Sequence, residues 1–350
     1  MKKILEKLII KKDLDEKSAE NAMELIMSGN ASPAQIGAFL VALRSKGESF
    51  KEIAALARIM RKYGNQISPK IPKNAILLDT CGTGGDEYNT FNISTIAALI
   101  LASANIYIAK HGNRSVSSLC GSADLLEGLG VNIAASPEVV QKCIEDAGIG
   151  FMFAPVFHPA MKHAIGPRKE LGIRTVFNIL GPLTNPASAH SQILGIFSPD
   201  LTEKMAQTLK LLKVERALTF HGLPGLDEVS NIGKTIVSEL NNGEIKNYEL
   251  NVDNFDVLKA SITDIKGGDL ETNLKITLEI LRGNQSPKAD IVRMNVAAGL
   301  YVTEKASNFK EGMTIAQDTI ESKKPIEKLV KLIKVSGGNL EKFKELEEKY

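Results

Sequence analysis

Between residues 19 and 64 the apolar positions recur at helical spacing. Ser32-Pro33-Ala34-Gln35 supplies an N-cap, a proline at the first helical position and a glutamine that can close a capping box. Ile36, Phe39, Leu40 and Leu43 follow as one stripe, and Gly47 can stop the helix. Ser49-Phe50-Lys51-Glu52 is a second capping box. Ile53, Leu56, Met60 and Tyr63 form its apolar face, with Gly64 as the expected stop. Ala19, Ala22, Met23 and Ile26 predict a helix before these. Residues 1–70 therefore read as a small helical domain suited to packing or oligomerisation.

The pattern changes at Ile67-Ser68-Pro69-Lys70-Ile71-Pro72-Lys73, an extended, proline-punctuated connector. From there strand and helix patterns alternate. Short apolar runs predict strands over 75–78, 106–109, 131–133, 150–153, 193–197 and 216–220. Helical patterns cover 94–104 and start again near Leu125, at Ser136-Pro137-Glu138 and at Ser198-Pro199-Asp200. Strands alternating with helices imply an α/β domain over 71–350 around a central, mostly parallel sheet. Residues 270–350 are expected to be mainly helical, ending in a charged, solvated helix from Leu340.

Composition narrows the function classes. The 350 residues are 43% hydrophobic and 24% charged, ordinary for a globular protein. Lys+Arg 43 against Asp+Glu 41 leaves a net charge of +2, which argues against a nucleic-acid partner. No apolar run approaches a membrane span, and Met1-Lys2-Lys3-Ile4-Leu5-Glu6-Lys7 is not followed by the apolar core of a signal peptide. Cys81, Cys120 and Cys143 have no metal-ligand spacing, as expected of a reduced cytoplasmic chain.

The polar segments that follow the strands carry the chemistry. Asp79-Thr80-Cys81-Gly82-Thr83-Gly84-Gly85-Asp86 lies between a strand and an apolar helix, where glycines let backbone N–H groups approach an anion. It is neither a P-loop nor a dinucleotide fingerprint. Asn92-Ile93-Ser94-Thr95 opens the next helix, where hydroxyls and first-turn N–H groups can hold a phosphate or merely cap. Lys110-His111-Gly112-Asn113-Arg114-Ser115-Val116-Ser117-Ser118 packs cations, an amide and hydroxyls into a phosphate-facing loop, and Ser122 starts another helix. Three such segments on one sheet edge suit a substrate with more than one phosphate. Gly225-Leu226-Asp227-Glu228 adds adjacent acids of the kind a phosphate-bound Mg²⁺ needs.

Together with Phe91 and Phe177-Asn178-Ile179-Leu180-Gly181-Pro182-Leu183-Thr184-Asn185-Pro186, these motifs closely resemble the anthranilate phosphoribosyltransferase family of tryptophan biosynthesis. The resemblance runs to about residue 330 with the motifs in family order. It implies transfer of phosphoribose from 5-phosphoribosyl 1-diphosphate to the amine of anthranilate, with loss of pyrophosphate. It also implies a helical domain that a segment at about 160–188 rejoins, an α/β domain shared with pyrimidine nucleoside phosphorylases, and a homodimer paired through the helical domains. The sugar diphosphate is expected on Gly82, Gly85, Asp86, Thr90, Asn92, Ile93, Ser94, Thr95, Lys110, His111, Gly112, Asn113, Arg114, Ser115, Val116, Ser117, Ser118 and Ser122. Anthranilate is expected near Gly82, Asn113 and Arg168, and Mg²⁺ at Ser94, Asp227 and Glu228. Lys110, Asp227 and Glu228 are the expected catalytic groups. One departure stands out: the family usually has a lysine where this chain has Leu119, which here could face the core. The rival readings are a nucleoside phosphorylase, which needs no acidic metal site, and a non-catalytic nucleic-acid binder, which needs a basic excess.

Overall fold

The computed structural model describes residues 1–85, 88–115 and 119–350. Four helices come first: α1 (Lys2–Ile9), α2 (Glu16–Met27), α3 (Pro33–Lys46) and α4 (Phe50–Lys62). Both capping boxes form: Ser32 and Ser49 accept the N–H three residues on, and Gln35 and Glu52 reach back to the cap N–H. Gly47 ends α3 at φ 90°, a conformation glycine reaches without a Cβ clash. α4 stops at Lys62 with Tyr63 as its cap, one residue earlier than the glycine suggested. Helix α1 has no counterpart in the sequence reading; it buries Ile4 and Leu8.

One seven-stranded sheet follows, built from β1 (Leu77–Gly82), β2 (Tyr107–Gly112), β3 (Ile149–Phe153), β4 (Ser191–Gly195), β5 (Arg216–Gly222), β6 (Thr235–Asn241) and β7 (Glu244–Leu250). The order is β3-β2-β1-β4-β5-β6-β7. The first five are parallel; β6 and β7 are antiparallel and turn at Asn242 (φ 47°) and Gly243 (φ 88°). The strand expected over 131–133 does not form. Val131 and Ile133 are buried, but in a turn before the next helix.

The crossovers and the C-terminal half are helical: α5 (Ile93–Ser103), α6 (Ser122–Gly128), α7 (Pro137–Lys142), α8 (Ala154–Phe157), α9 (Lys162–Leu171), α10 (Phe177–Leu180), α11 (Thr202–Leu211), α12 (Leu270–Leu281), α13 (Pro287–Val302), α14 (Phe309–Glu321), α15 (Lys324–Ser336) and α16 (Leu340–Lys349). Helix α5 is apolar all round because it is covered all round. It and α13 join Leu78, Ile108, Ile193 and Leu218 in one core. On the opposite face Leu194, Ala217 and Leu240 share a second core with Met205 and Leu209 of α11, with Phe39, Leu40 and Leu56 of the N-terminal helices, and with Val176, Phe177, Ile179 and Leu183. The charged C-terminal helix is solvated on one side only, since Phe343 is fully buried.

From β1 the chain winds outward through β2 and β3, then returns to place β4 on the other side of β1. The carboxyl end of β1 is thus the point where winding reverses, and an open α/β sheet leaves a crevice there.

Candidate active site

The reversal point is closed by an acidic turn. The loop after β5 folds back on itself, with Gly222 and Leu226 exchanging backbone hydrogen bonds. Asn295 of α13 clamps Val229 from both sides, accepting its N–H at 3.0 Å and donating to its carbonyl at 3.2 Å. This aims two carboxylates across the sheet edge. The Gly84 N–H donates to Asp227 Oδ2 at 2.8 Å, and the Ser94 N–H donates to Glu228 Oε1 at 3.2 Å. Room for this approach exists because two residues lack side chains. A Cβ on Gly82 would sit 2.3 Å from Asp227 Oδ2, and one on Gly195 would sit 1.6 Å from the Asp227 carbonyl oxygen.

The first turn of α5 is therefore less open than its sequence suggested. Ile93 N–H goes to the Phe91 carbonyl, Thr95 N–H to the Asn92 carbonyl and Ser94 N–H to Glu228. The side chains of Ile93 and Thr95 are buried. Asn92 does not cap the helix; its amide donates to the Cys120 carbonyl at 3.0 Å and tethers the loop after β2.

Lys110, His111 and Gly112 are corrected from loop to strand: they are the last residues of β2, so Lys110 and His111 face opposite sides of the sheet. Lys110 is buried. Its ammonium donates to the Thr80 carbonyl at 2.7 Å and to Ser94 Oγ at 3.3 Å. Burial pulls its pKa down, against the opposing charges of Asp79 and Glu228. Beyond the strand, Asp124 collects the N–H groups of Ser115 (3.2 Å) and Gly121 (2.9 Å), and Ser122 Oγ donates to the Asn113 carbonyl at 3.3 Å. Arg114 pairs with Asp124 at 2.7 Å and Glu127 at 2.9 Å, so its charge is directed at α6 rather than into the cleft. Leu119 does not face the core; it is 68% exposed. Thr90 bridges to Lys266. Asp86, Val116, Ser117 and Ser118 lie outside the described residues.

The other side of the same strand ends carries a second polar group. His111 Nδ1 lies 3.2 Å from the Gly181 carbonyl, and its ring meets that of His158 edge-on at 5.0 Å. Gln192 donates to Asp79 Oδ2 at 3.1 Å and to the Pro182 carbonyl at 2.7 Å. Arg61 of α4 donates to the Leu183 carbonyl at 2.8 Å. Arg168 stacks over the Phe177 ring at 5.0 Å, and no ion pair to it forms among the described residues. Its pKa is pulled down by burial.

Burial also sets a pH dependence of stability. It pushes Asp79 from 3.8 up to about 6. It pulls His111 from 6.5 to about 3 and His158 from 6.5 to about 4. The raised carboxyl favours folding below pH 3.8, and that contribution is lost as pH climbs through about 6. The depressed imidazoles favour folding above pH 6.5, and theirs is lost as pH falls toward 4 and 3. Between about pH 6 and 4 the unfolded chain takes up protons at the two histidines that the folded chain does not, while the folded chain holds one at Asp79 that the unfolded chain does not. Stability should therefore fall as pH drops through that range. Asp79→Asn removes the offset and should steepen that acid slope. Urea midpoints between pH 4 and 6 measure it, and an unchanged slope in the variant would refute the assignment.

With this geometry in hand, comparison with known proteins decides the family. The model of a glycosyltransferase family's α/β domain matches residues 74–325, and that of its helical bundle domain matches residues 2–64. An anthranilate phosphoribosyltransferase of Acetivibrio thermocellus is 51% identical over 338 residues, covering 97% of each chain. One from Persephonella marina is 47% identical, covering 97% of this chain and 99% of its own. The chain belongs to the anthranilate phosphoribosyltransferase family. The crystal structure of a Thermus thermophilus member superposes with a TM-score of 0.90 at 41% identity, covering 95% of this chain and 99% of its own. A Saccharomyces cerevisiae member in complex with 5-phosphoribosyl 1-diphosphate (PRPP) and Mg superposes at 0.88 with 29% identity, covering 96% and 97%. The same yeast protein has also been solved in complex with 4-fluoroanthranilate.

Family motifs alone pass over several residues that build this site. Gly195 interrupts the apolar run 193–197, a signal of close backbone approach inside a strand. Asn295 lies within helix α13 and carries no local signal. Asp124 looks like an ordinary capping acid, yet it organises the loop after β2. The described residues contain no cluster of three His, Cys, Asp or Glu side chains placed to hold a metal, and no helix among them is long and apolar enough to cross a membrane.

Proposed function

We propose that this family member transfers the phosphoribosyl group of PRPP to the amine of anthranilate, releasing pyrophosphate. The observation that carries this reading is the acidic turn itself: Asp227 reaches the glycine turn after β1 while Glu228 reaches the first turn of α5. Phosphate-facing backbone and carboxylates thus converge at the reversal point of the sheet. The relatives' names and the yeast complexes support the same pair of substrates.

Ser94, Asp227 and Glu228 offer oxygen donors only, and two carboxylates are what Mg²⁺ takes when substrate phosphates complete its shell. These residues fit such an ion, and bound there it supplies Lewis-acid neutralisation of the leaving pyrophosphate. The chain's own groups do the positioning. Lys110 holds Ser94 Oγ and adds fixed positive charge beneath it. The turn at 82–85, Thr90, Asn113, Ser115 and Ser122 line the diphosphate side. An aryl amine is neutral at pH 7, so it can attack a ribose C1 of oxocarbenium character without a strong base. Holding the two substrates together then supplies much of the rate.

Arg168 is assigned to the anthranilate carboxylate. It is partly desolvated on Phe177 with its planar fork uncommitted among the described residues. Arg168→Ala should raise the KM for anthranilate by about tenfold to a hundredfold while that for PRPP holds, judging by hydrogen bonds to charged groups. Steady-state titration of each substrate checks this, and equal rises in both constants would overturn it.

The helical unit of residues 1–70, rejoined at 160–188, is read as one body that covers the acceptor side of the α/β domain. Pairing of two copies through it is supported by exposed apolar residues on adjoining elements: Ile9 (72% exposed) and Ile10 at the end of α1, Val41 on α3 and Ile165 on α9. We read the enzyme as cytoplasmic and as serving tryptophan biosynthesis, in keeping with the activity its relatives are named for. The direct test is loss of anthranilate fluorescence with PRPP and Mg²⁺, with thymidine phosphorolysis as the control. Phosphorolysis without anthranilate consumption would replace this reading.

A further inference from the structure

The turn at 82–85 is held from two sides, and the motifs explain only one of them. On the first, Asp227 takes the Gly84 N–H. On the second, Arg174 enters from the segment between α9 and α10. Its Nη2 donates to the Gly85 carbonyl at 2.8 Å, and its guanidinium lies over the Phe197 ring at 4.5 Å. Phe197 is tied to the same turn: its N–H donates to Thr83 Oγ1 at 3.0 Å, and the Thr83 N–H donates to the Gly195 carbonyl at 2.9 Å. Thr83, Phe197, Arg174 and Gly85 thus close a ring around the turn. The lack of a side chain on Gly85 admits the arginine, because a Cβ there would stand 2.5 Å from Nη2. Gly84 (φ 68°) and Gly85 (φ 84°) both hold left-handed conformations, so the turn's path depends on such external ties. Behind the ring, the carbonyl of Arg174 accepts a hydrogen bond from Arg44 of α3.

We propose that Arg174 is a positioning residue that ties the seat of the N-terminal helices to the shape of the glycine turn, and so to affinity for the sugar diphosphate. The inference rests on the reading of that turn as the diphosphate site. Arginine suits the role because one planar group both stacks on an aromatic face and donates in its plane, which a lysine ammonium cannot do. No contact between Arg174 and substrate is invoked.

The test compares wild type with Arg174→Lys, Arg174→Gln, Phe197→Leu and the Arg174→Gln/Phe197→Leu double variant. It first confirms that wild-type enzyme consumes anthranilate, so a failure of the functional reading shows in that arm alone. Each single variant should raise the KM for PRPP roughly tenfold, the scale of one lost charged hydrogen bond, while the KM for anthranilate and the melting temperature hold. The double variant should be little worse than either single one, because both break the same ring. Thermal protection by PRPP and Mg²⁺ without anthranilate should weaken in parallel, which reads binding independently of turnover. Full rescue by Arg174→Lys with no effect of Phe197→Leu would show that only the charge matters and would overturn the proposal. So would a fall in melting temperature with the KM for PRPP unchanged.

Discussion

Asp227→Asn and Glu228→Gln should each lower kcat/KM by about 10²–10³-fold, the scale seen when one preorganised electrostatic contact to a developing charge is lost. The substitutions are chosen to separate chemistry from architecture. Asparagine keeps an oxygen that can accept the Gly84 N–H, and glutamine keeps one for the Ser94 N–H. Only the negative charge goes, and with it the attraction for a hard divalent cation. The Mg²⁺ concentration for half-maximal activity should therefore rise, and melting temperatures should stay near wild type. Turnover within tenfold of wild type at ordinary Mg²⁺ would remove the acidic pair from the mechanism and with it the reading of the edge as a metal-assisted diphosphate site.

Gly195→Ala should damage the protein more deeply. Its Cβ would meet the carbonyl oxygen of Asp227 at 1.6 Å and the carbonyl carbon at 2.4 Å, and backbone atoms cannot rotate out of the way. The whole turn after β5 would have to move, breaking its ties to Gly84 and Ser94 together. A loss of about 3 kcal/mol or more in stability is expected from such overpacking, with activity lost as well. Gly82→Ala is the informative partner. Its Cβ would meet the Asp227 carboxylate at 2.3 Å, the far end of a side chain that can rotate at the cost of its bond to the Gly84 N–H. That variant should lose activity with a much smaller fall in melting temperature. Thermal melts and rate measurements on both decide it: if Gly195→Ala melts like wild type, the backbone approach does not hold the turn.

How much of this was legible varies with the range of the interaction that decides it. The two capping boxes at Ser32 and Ser49 form as read, because a cap is decided within four residues. The central strands formed where apolar runs were short and bounded. The run 131–133 is apolar enough for a strand, but its backbone is engaged by helix ends instead of a neighbouring strand: the Val131 N–H donates to the Leu126 carbonyl and the Asn132 N–H to Ser336 Oγ of α15. The hairpin of β6 and β7 turns on Asn242-Gly243, a pair whose left-handed backbone suits a tight hairpin turn and which the sequence displays between alternating residues. In the site, the glycine turn and the acidic pair were legible as chemistry. Their order of assembly was not: Asn92 resembles a cap and is a tether, Arg114 resembles a phosphate ligand and pairs with α6, and Lys110 resembles a loop cation and is a buried strand residue.

The amino-acid order alone thus determined which local shapes were available and which residue types could serve a doubly phosphorylated, metal-carrying substrate, since propensity, capping and charge are properties of neighbours along the chain. Only the folded molecule decided that Asp227 meets Gly84 from 143 positions away along the chain, that Gly195 makes room for it, and that Arg174 fastens the turn from the helical side. Those contacts depend on where winding reverses across β1 and on atoms approaching within a few ångströms, and no periodicity in a sequence encodes a distance between segments so far apart.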